Sequence, residues 1–154
     1  MTMTEPAPPA DFSDAERETL RAIAGHIIPA DTGLSLPGAD DASIFADIVR
    51  TARRDQAVLR RAVVAVDALA PRRLNVLPPD EQLTVLTRFR TLHPDLARAC
   101  EVVTARCYYR DARVMRAIGM EVRPPFPVGF DVEPGGLELL EPVRQRGKIY
   151  RDAD

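Results

Sequence analysis

The stretch SDAERETLRAIAGHIIP, residues 13 to 29, decides the fold class. Ser13 followed three residues later by Glu16 is the pattern of a capping box, in which hydroxyl and carboxylate each satisfy a backbone N–H left open at a helix start. Leu20, Ile23, Ala24 and Ile27 then recur at i, i+3, i+4 and i+7, the spacing that gathers apolar side chains on one helical face. Pro29 ends the run, because proline cannot donate the next hydrogen bond. A helix built this way needs partners to cover its apolar face.

The rest of the chain supplies them. The turn residues ADTGLSLPGAD lead to Asp40 and Asp41, expected to cap a second helix that buries Ile44, Phe45, Ile48, Val49 and Ala52. A third helix fits residues 55 to 70, with Asp55 as its cap and Leu59, Ala62, Val63, Val66 and Leu69 inward. PRRLNVLPP breaks it. A fourth starts near Pro79, carries Asp80 and Glu81 in its first turn where acids suit the dipole, and is expected to bury Leu83, Leu86 and Phe89. A fifth starts at Pro94 with Leu96, Cys100, Val103 and Cys107 on one face. A short sixth covers Asp111 to Ile118 and stops at Gly119. No window alternates like a strand, and no repeat is visible. The expected fold is all-α, a small bundle of five to six helices.

Beyond Gly119 the composition changes. Five of the 14 prolines and four of the eight glycines fall in the last 35 residues. RPPFPVGF, residues 123 to 130, is too rich in proline for a helix and too apolar to be left in water. A polyproline path over residues 120 to 136 spans about 50 Å at ~3.1 Å per residue. The chain thus reads as a disordered head (1–12), a helical bundle (13–119) and an extended C-terminal arm (120–154). Because polyproline backbone makes no internal hydrogen bonds, the arm must dock, on its own bundle or on another protein.

Composition narrows the function. A chain of 154 residues, 45% hydrophobic and 29% charged, has the make-up of one folded domain. With no Trp and few aromatics it lacks a stacking platform for bases or sugars. Net charge is −2, unevenly spread: residues 1 to 50 hold nine acids and three arginines, residues 51 to 99 nine arginines and five acids. A pI near 5.7 argues against general nucleic-acid binding. No apolar run approaches the ~18 residues of a membrane span. MTMTEPAPPADFS has neither the charge nor the apolar core of an export signal, so a cytoplasmic location is expected. Cys100 and Cys107, about 10 Å apart on one helix, are too distant to bridge and are expected as buried free thiols.

Chemistry is sparse. His26 and His93 lie on different helices without clustered acids, and no C-x-x-C or H-x-x-x-H pattern accompanies them. His26 reads as a structural residue beside an apolar face, His93 as a helix cap. No G-x-G-x-x-G or P-loop is present. Asp40 and Asp41, like Asp80 and Glu81, sit where caps are expected. YYRDARVMR brings Tyr108 and Tyr109 beside Arg110, Asp111, Arg113 and Arg116, a polar helix junction or, alternatively, a pocket through which a stand-alone helical enzyme or regulator binds an anion.

Four motifs occur in order: IIPAD at Ile27 to Asp31, PGAD at Pro37 to Asp40, YYRDARV, and RPPFPVGF. Together they resemble the gluconate 2-dehydrogenase subunit 3 family over residues 13 to 150. The resemblance implies a non-catalytic small subunit that binds and stabilises a large FAD-containing flavoprotein of the glucose-methanol-choline type, which oxidises a sugar, glycoside or alcohol. It implies no cofactor in this chain, FAD in the partner, and a cytochrome as a further member of some complexes; without C-x-x-C-H this sequence supplies no haem. Many members of the family carry a twin-arginine signal, whereas none appears here. The arm is then expected to lie on the flavoprotein, with Tyr108, Tyr109, Arg123, Pro124, Pro125, Phe126, Pro127 and Phe130 at the contact and arginines of the bundle pairing with partner carboxylates at its rim.

Overall fold

Ser13 has an extended backbone; its hydroxyl accepts the Glu16 N–H at 3.3 Å, and Glu16 Oε2 accepts the Ser13 N–H at 2.7 Å. The helix α1, Asp14–Ile27, therefore starts at the expected capping box. The computed structural model describes residues 11–123, 126, 127, 129 and 135–148. They divide into two units, the first ending at Val122 and the second beginning at Arg123. Among the described residues the secondary structure is helical apart from one isolated bridge pair, Asp31 with Leu36. The all-α expectation holds.

In the first unit α2 is Ala42–Thr51, running into a 3-10 turn at Ala52–Arg54; α3 is Gln56–Leu69, α4 Pro79–Leu92, α5 Pro94–Tyr108 and α6 Ala112–Ala117. Asp41 caps α2, accepting from the Ser43 and Ile44 N–H groups. Helix α5 packs against α1, α2, α3 and α4. It can do so because much of its buried surface is small: Ala97, Cys100, Val103, Thr104 and Cys107 allow four neighbours to approach one axis. Around it lie Leu20 and Ile23 of α1, Ile44 and Ile48 of α2, and Leu59, Val63 and Val66 of α3. Leu74, from the short 3-10 turn after α3, is wholly buried and closes one side of this core.

Helix α6 ends in a Schellman motif. The Met120 N–H reaches the Met115 carbonyl at 2.8 Å and the Gly119 N–H the Arg116 carbonyl at 3.1 Å. Gly119 at φ +78° supplies the left-handed residue that this motif requires.

Three expectations are corrected. The head does not extend to residue 12, since Phe12 is buried at 4% exposure with the Arg60 guanidinium 5.4 Å over its ring; residues 1–10 lie outside the described residues. Leu83 is 58% exposed, and Val85 is buried in its place. Helix α4 turns Gln82, Val85, Leu86 and Phe89 inward, and at 100° per residue Leu83 falls about 110° from the middle of that face. Asp55 does not cap α3: the preceding 3-10 turn leaves it at φ −100°, ψ 0°, and its carboxylate pairs with Arg106 at 2.7 Å.

The second unit is not extended throughout. Leu137–Leu140 forms a 3-10 turn that continues into α7, Glu141–Gln145, with Pro142 in its first turn. Leu139, Leu140 and Val143 are exposed on it. Much of the expected polyproline path, including Pro124, Pro125 and Phe130, lies outside the described residues.

The burial pattern fixes a contrast. Leu59→Ala is expected to lower the unfolding free energy by about 2 to 5 kcal/mol, and Leu83→Ala by less than about 0.5 kcal/mol. Chemical denaturation followed by circular dichroism measures both; a large loss at Leu83 would return it to the core.

Candidate functional site

Asp40, Asp41 and the residues from Tyr108 to Arg113 gather where α1, α2, α5 and α6 meet. After α1 the chain turns back on itself: Asp31 and Leu36 exchange both backbone hydrogen bonds, at 3.0 and 2.8 Å, and the Ala39 N–H reaches the Ile28 carbonyl at 2.9 Å. A Cβ on Gly38 would stand 2.3 Å from Asp40 Oδ1 and 3.0 Å from the Ala30 nitrogen, so the PGAD turn requires glycine for close approach. Arg21 of α1 donates from Nε to the Asp40 carbonyl at 2.7 Å. The turn is thereby fixed with Asp41 at the head of α2.

Arg113 binds there. Its two terminal nitrogens donate to both Asp41 carboxylate oxygens at 3.2 and 2.7 Å, and one also reaches Ser43 Oγ at 2.7 Å. Its Nε donates to Asp111, which itself caps α6 through the Arg113 N–H. Further along, Arg110 donates to Asp47 Oδ2 at 2.6 Å and to Thr51 Oγ1 at 3.1 Å, and Arg106 donates to Asp55 at 2.7 Å. Three Arg–Asp pairs thus join the segment carrying α2 to the end of α5 and the start of α6, in antiparallel order. Charge assistance makes such pairs stronger than neutral hydrogen bonds. Arg106 lies on α5, Arg110 in the turn after it and Arg113 on α6, so no single helical face in the sequence signals the set.

The electrostatics follow from the pairing. Hydrogen bonds from Arg113 and then Ser43 hold the Asp41 carboxyl well below its ordinary range, and Arg113 lowers Asp111 as well. The Asp41 and Asp111 hydrogen bonds raise Arg113 in return. Tyr108 is raised by burial, then by Tyr109, Asp111 and Asp31. A shallow hollow lies beside this ladder, lined in part by Ser43, Asp47, Arg110 and Asp111. An anion entering it would have to displace Asp41 or Asp47 from guanidinium groups they already hold. The arrangement suits a polar helix junction.

Of the residues expected at a partner contact, Tyr108 is buried at 3% exposure and is thus removed from any surface, a correction. It faces the core because the α5 stripe that includes Thr104 and Cys107 continues through it. Tyr109 is 55% exposed, edge-on to Tyr108 with ring centroids 5.3 Å apart. Arg123 is half-buried, Pro127 exposed, and Phe126 84% exposed. Pro124, Pro125 and Phe130 lie outside the described residues. His26 links α1 to α4 through Gln82 at 2.8 Å, as a structural histidine does. His93 precedes α5 without a capping hydrogen bond from its ring, which tilts against Phe89 instead. Among the described residues no group of three or more His, Cys, Asp and Glu is placed to hold a metal ion, and no helix is long and apolar enough to cross a membrane. The chain matches no known family, no curated protein and no solved structure.

Removing Arg113 tests the ladder. Arg113→Gln is expected to lower stability near pH 7 by about 1 kcal/mol. Asp41 and Asp111 are depressed in the folded state, so their contribution is fully present above the unfolded carboxylate value of about 4 and is lost as pH falls below it. The gap between wild type and variant should therefore narrow from about pH 7 to about pH 2.5, as measured by urea unfolding; a constant gap would contradict the pairing.

Both cysteines are buried and unbridged. Burial pushes the Cys100 thiol up to about 12, with Glu101 adding to the rise. Iodoacetamide near neutral pH should leave Cys100 and Cys107 unmodified in the folded chain and modify both after denaturation, read by mass spectrometry. Rapid labelling of the native protein would show that the α5 face is open.

Proposed function

We propose that this chain is the non-catalytic small subunit of an FAD-dependent dehydrogenase of the glucose-methanol-choline type, and that it binds and stabilises the catalytic chain. The proposal comes from the ordered motifs and their resemblance to the gluconate 2-dehydrogenase subunit 3 family. FAD and the oxidised sugar, glycoside or alcohol belong to the partner; an electron-accepting cytochrome is a further possible member.

One observation supports this reading over an enzyme or an anion-binding regulator. The IIPAD and PGAD motifs meet through the Ile28–Ala39 hydrogen bond, and YYRDARV, distant in sequence, joins them through the pair of Arg113 with Asp41, the residue that follows PGAD. Asp41, Asp47, Asp55 and Asp111, the carboxylates of this constellation that face its arginines, are all paired, Asp47 with both Arg50 and Arg110. Groups engaged in this way position helices and are poor general acids or bases. What lies open instead is apolar: Tyr109, then Ile118, Met120 and Val122 in alternation after α6, and Phe126. Such side chains suit a surface that another protein covers.

The full chain purified alone should be colourless and without dehydrogenase activity, and should co-purify with the flavoprotein expected from the neighbouring reading frame when the two are co-expressed. No described residue beyond Val114 is buried, so deleting residues 120–154 should preserve the helical circular dichroism of the bundle and abolish association. Phe126→Ala should weaken association by roughly 2 to 4 kcal/mol. A yellow, active preparation of the chain alone would end the proposal, and a truncation that binds at full strength would remove the arm from it.

A further inference from the structure

A cleft of about 570 Å³ opens between α1, α2 and the turn Ala52–Arg54. Its floor is apolar, with Phe12 buried and Phe45 and Val49 half-buried. Its walls carry Arg17 and Arg21 from α1 and Arg50 and Arg53 from the opposite side, and Asp11 is the one carboxylate residue in the lining. Residues 1 to 50 contain nine acids and three arginines, and all three of those arginines line this cleft.

Their charge is not spent internally. Arg17 donates from Nε to the Phe12 carbonyl; Arg21 donates to the Asp40 carbonyl and lies 5.9 Å from the Phe45 ring centroid. Backbone carbonyls orient a guanidinium without cancelling its charge. Arg53 has no polar partner among the described residues, and Arg50 alone of the four pairs with a carboxylate, that of Asp47. The contrast with the ladder beside α6 is direct: there each arginine holds an aspartate, and here Arg21 and Arg53 are exposed and Arg17 half-buried, none of them held by a carboxylate.

The spacing indicates the shape of what would fit. Arg17 and Arg21 are one turn apart on α1, roughly 6 Å between neighbouring Cβ atoms; Arg50 stands near the end of α2 and Arg53 on the 3-10 turn that follows it. Arginines converging on one point suit a single phosphate, whereas pairs strung along two walls suit carboxylates repeated one helical turn apart. We infer that this cleft is a docking site for an acidic amphipathic segment of a partner polypeptide, with one apolar side chain on Phe45 and Val49 and carboxylates one turn apart on Arg17, Arg21 and Arg53. The inference deepens the subunit reading, with the catalytic chain as the source of the segment, but the cleft can be tested without it.

The test has two arms. Isotope-labelled full chain is titrated with a synthetic helical peptide bearing leucine and glutamates at i and i+4, with the same peptide bearing glutamines, and with inorganic phosphate. The acidic peptide should shift the amide signals of Phe45, Ala46 and Val49 and the Nε signals of Arg17, Arg21 and Arg53. Affinity should fall about tenfold in the Arg17→Gln/Arg53→Gln double variant and remain unchanged in the control Arg88→Gln/Arg98→Gln. Equal binding of the glutamine peptide, equal shifts by phosphate, or shifts spread over unrelated arginines would each overturn the inference. In the second arm the same variants are co-expressed with the flavoprotein. Selective loss with Arg17→Gln/Arg53→Gln supports the cleft, and undiminished association overturns it while leaving the subunit reading intact. If wild type does not associate either, the subunit reading fails and the peptide titration alone decides the cleft.

Discussion

One helix that must touch four others sets the terms for the rest of the molecule. Helix α5 packs on α1, α2, α3 and α4, and it can approach all of them because alanine, cysteine, valine and threonine make up most of its buried surface. Bulk is supplied from outside, by Leu20, Ile23, Ile44, Ile48 and Leu59 on the surrounding helices. Large side chains on the neighbours set against small ones on the axis give dense packing without strained rotamers. The thiols of Cys100 and Cys107 belong to this logic as small buried groups, Cys107 also meeting Thr51 Oγ1 at 3.3 Å.

Apolar contact alone would leave α2 free to slide along α5, since hydrophobic attraction has no direction. The Arg–Asp ladder supplies that direction. Arg106, Arg110 and Arg113 pair with Asp55, Asp47 and Asp41 in reverse order, so a shift by one residue would break every pair together. Exposed pairs contribute little each, but a set sharing one register contributes specificity. The same device ties the glycine-dependent PGAD turn to α6, which positions the start of the C-terminal segment. Polar groups that resemble an active site in the sequence are thereby used in positioning.

Much of this architecture was legible in the chain because it is local. A capping box, an i+3, i+4 stripe, a proline after α1 and a glycine after α6 act within a few residues of themselves, and the helices begin and end close to where those signals stand. What was not legible depends on distance. The ladder joins residues 51, 63 and 72 apart, so the aspartates looked like caps and the arginines like a cluster. Leu83 and Val85 are both apolar, and the positions of α3 and α5 decide which of them faces inward. Phe12 falls in the expected head, yet Arg60, near the start of α3 and 48 residues on, gives its ring a cover. Tyr108 and Tyr109 are identical neighbours in sequence, and the direction of one helix separates a core residue from a surface one.

At Gly119, handedness rather than space is the limiting quantity. A Cβ built there would meet nothing within 4 Å, yet the backbone sits at φ +78°, where L-residues are disfavoured. The site therefore disfavours one enantiomer and suits the other: a D-alanine introduced by chemical ligation adopts the native dihedral without strain. Because such a residue also narrows the conformations open to the unfolded chain, it would tighten the exit from α6. Glycine, being achiral, reaches this geometry without strain, and the chain gains its sharp stop at the cost of a floppier unfolded state.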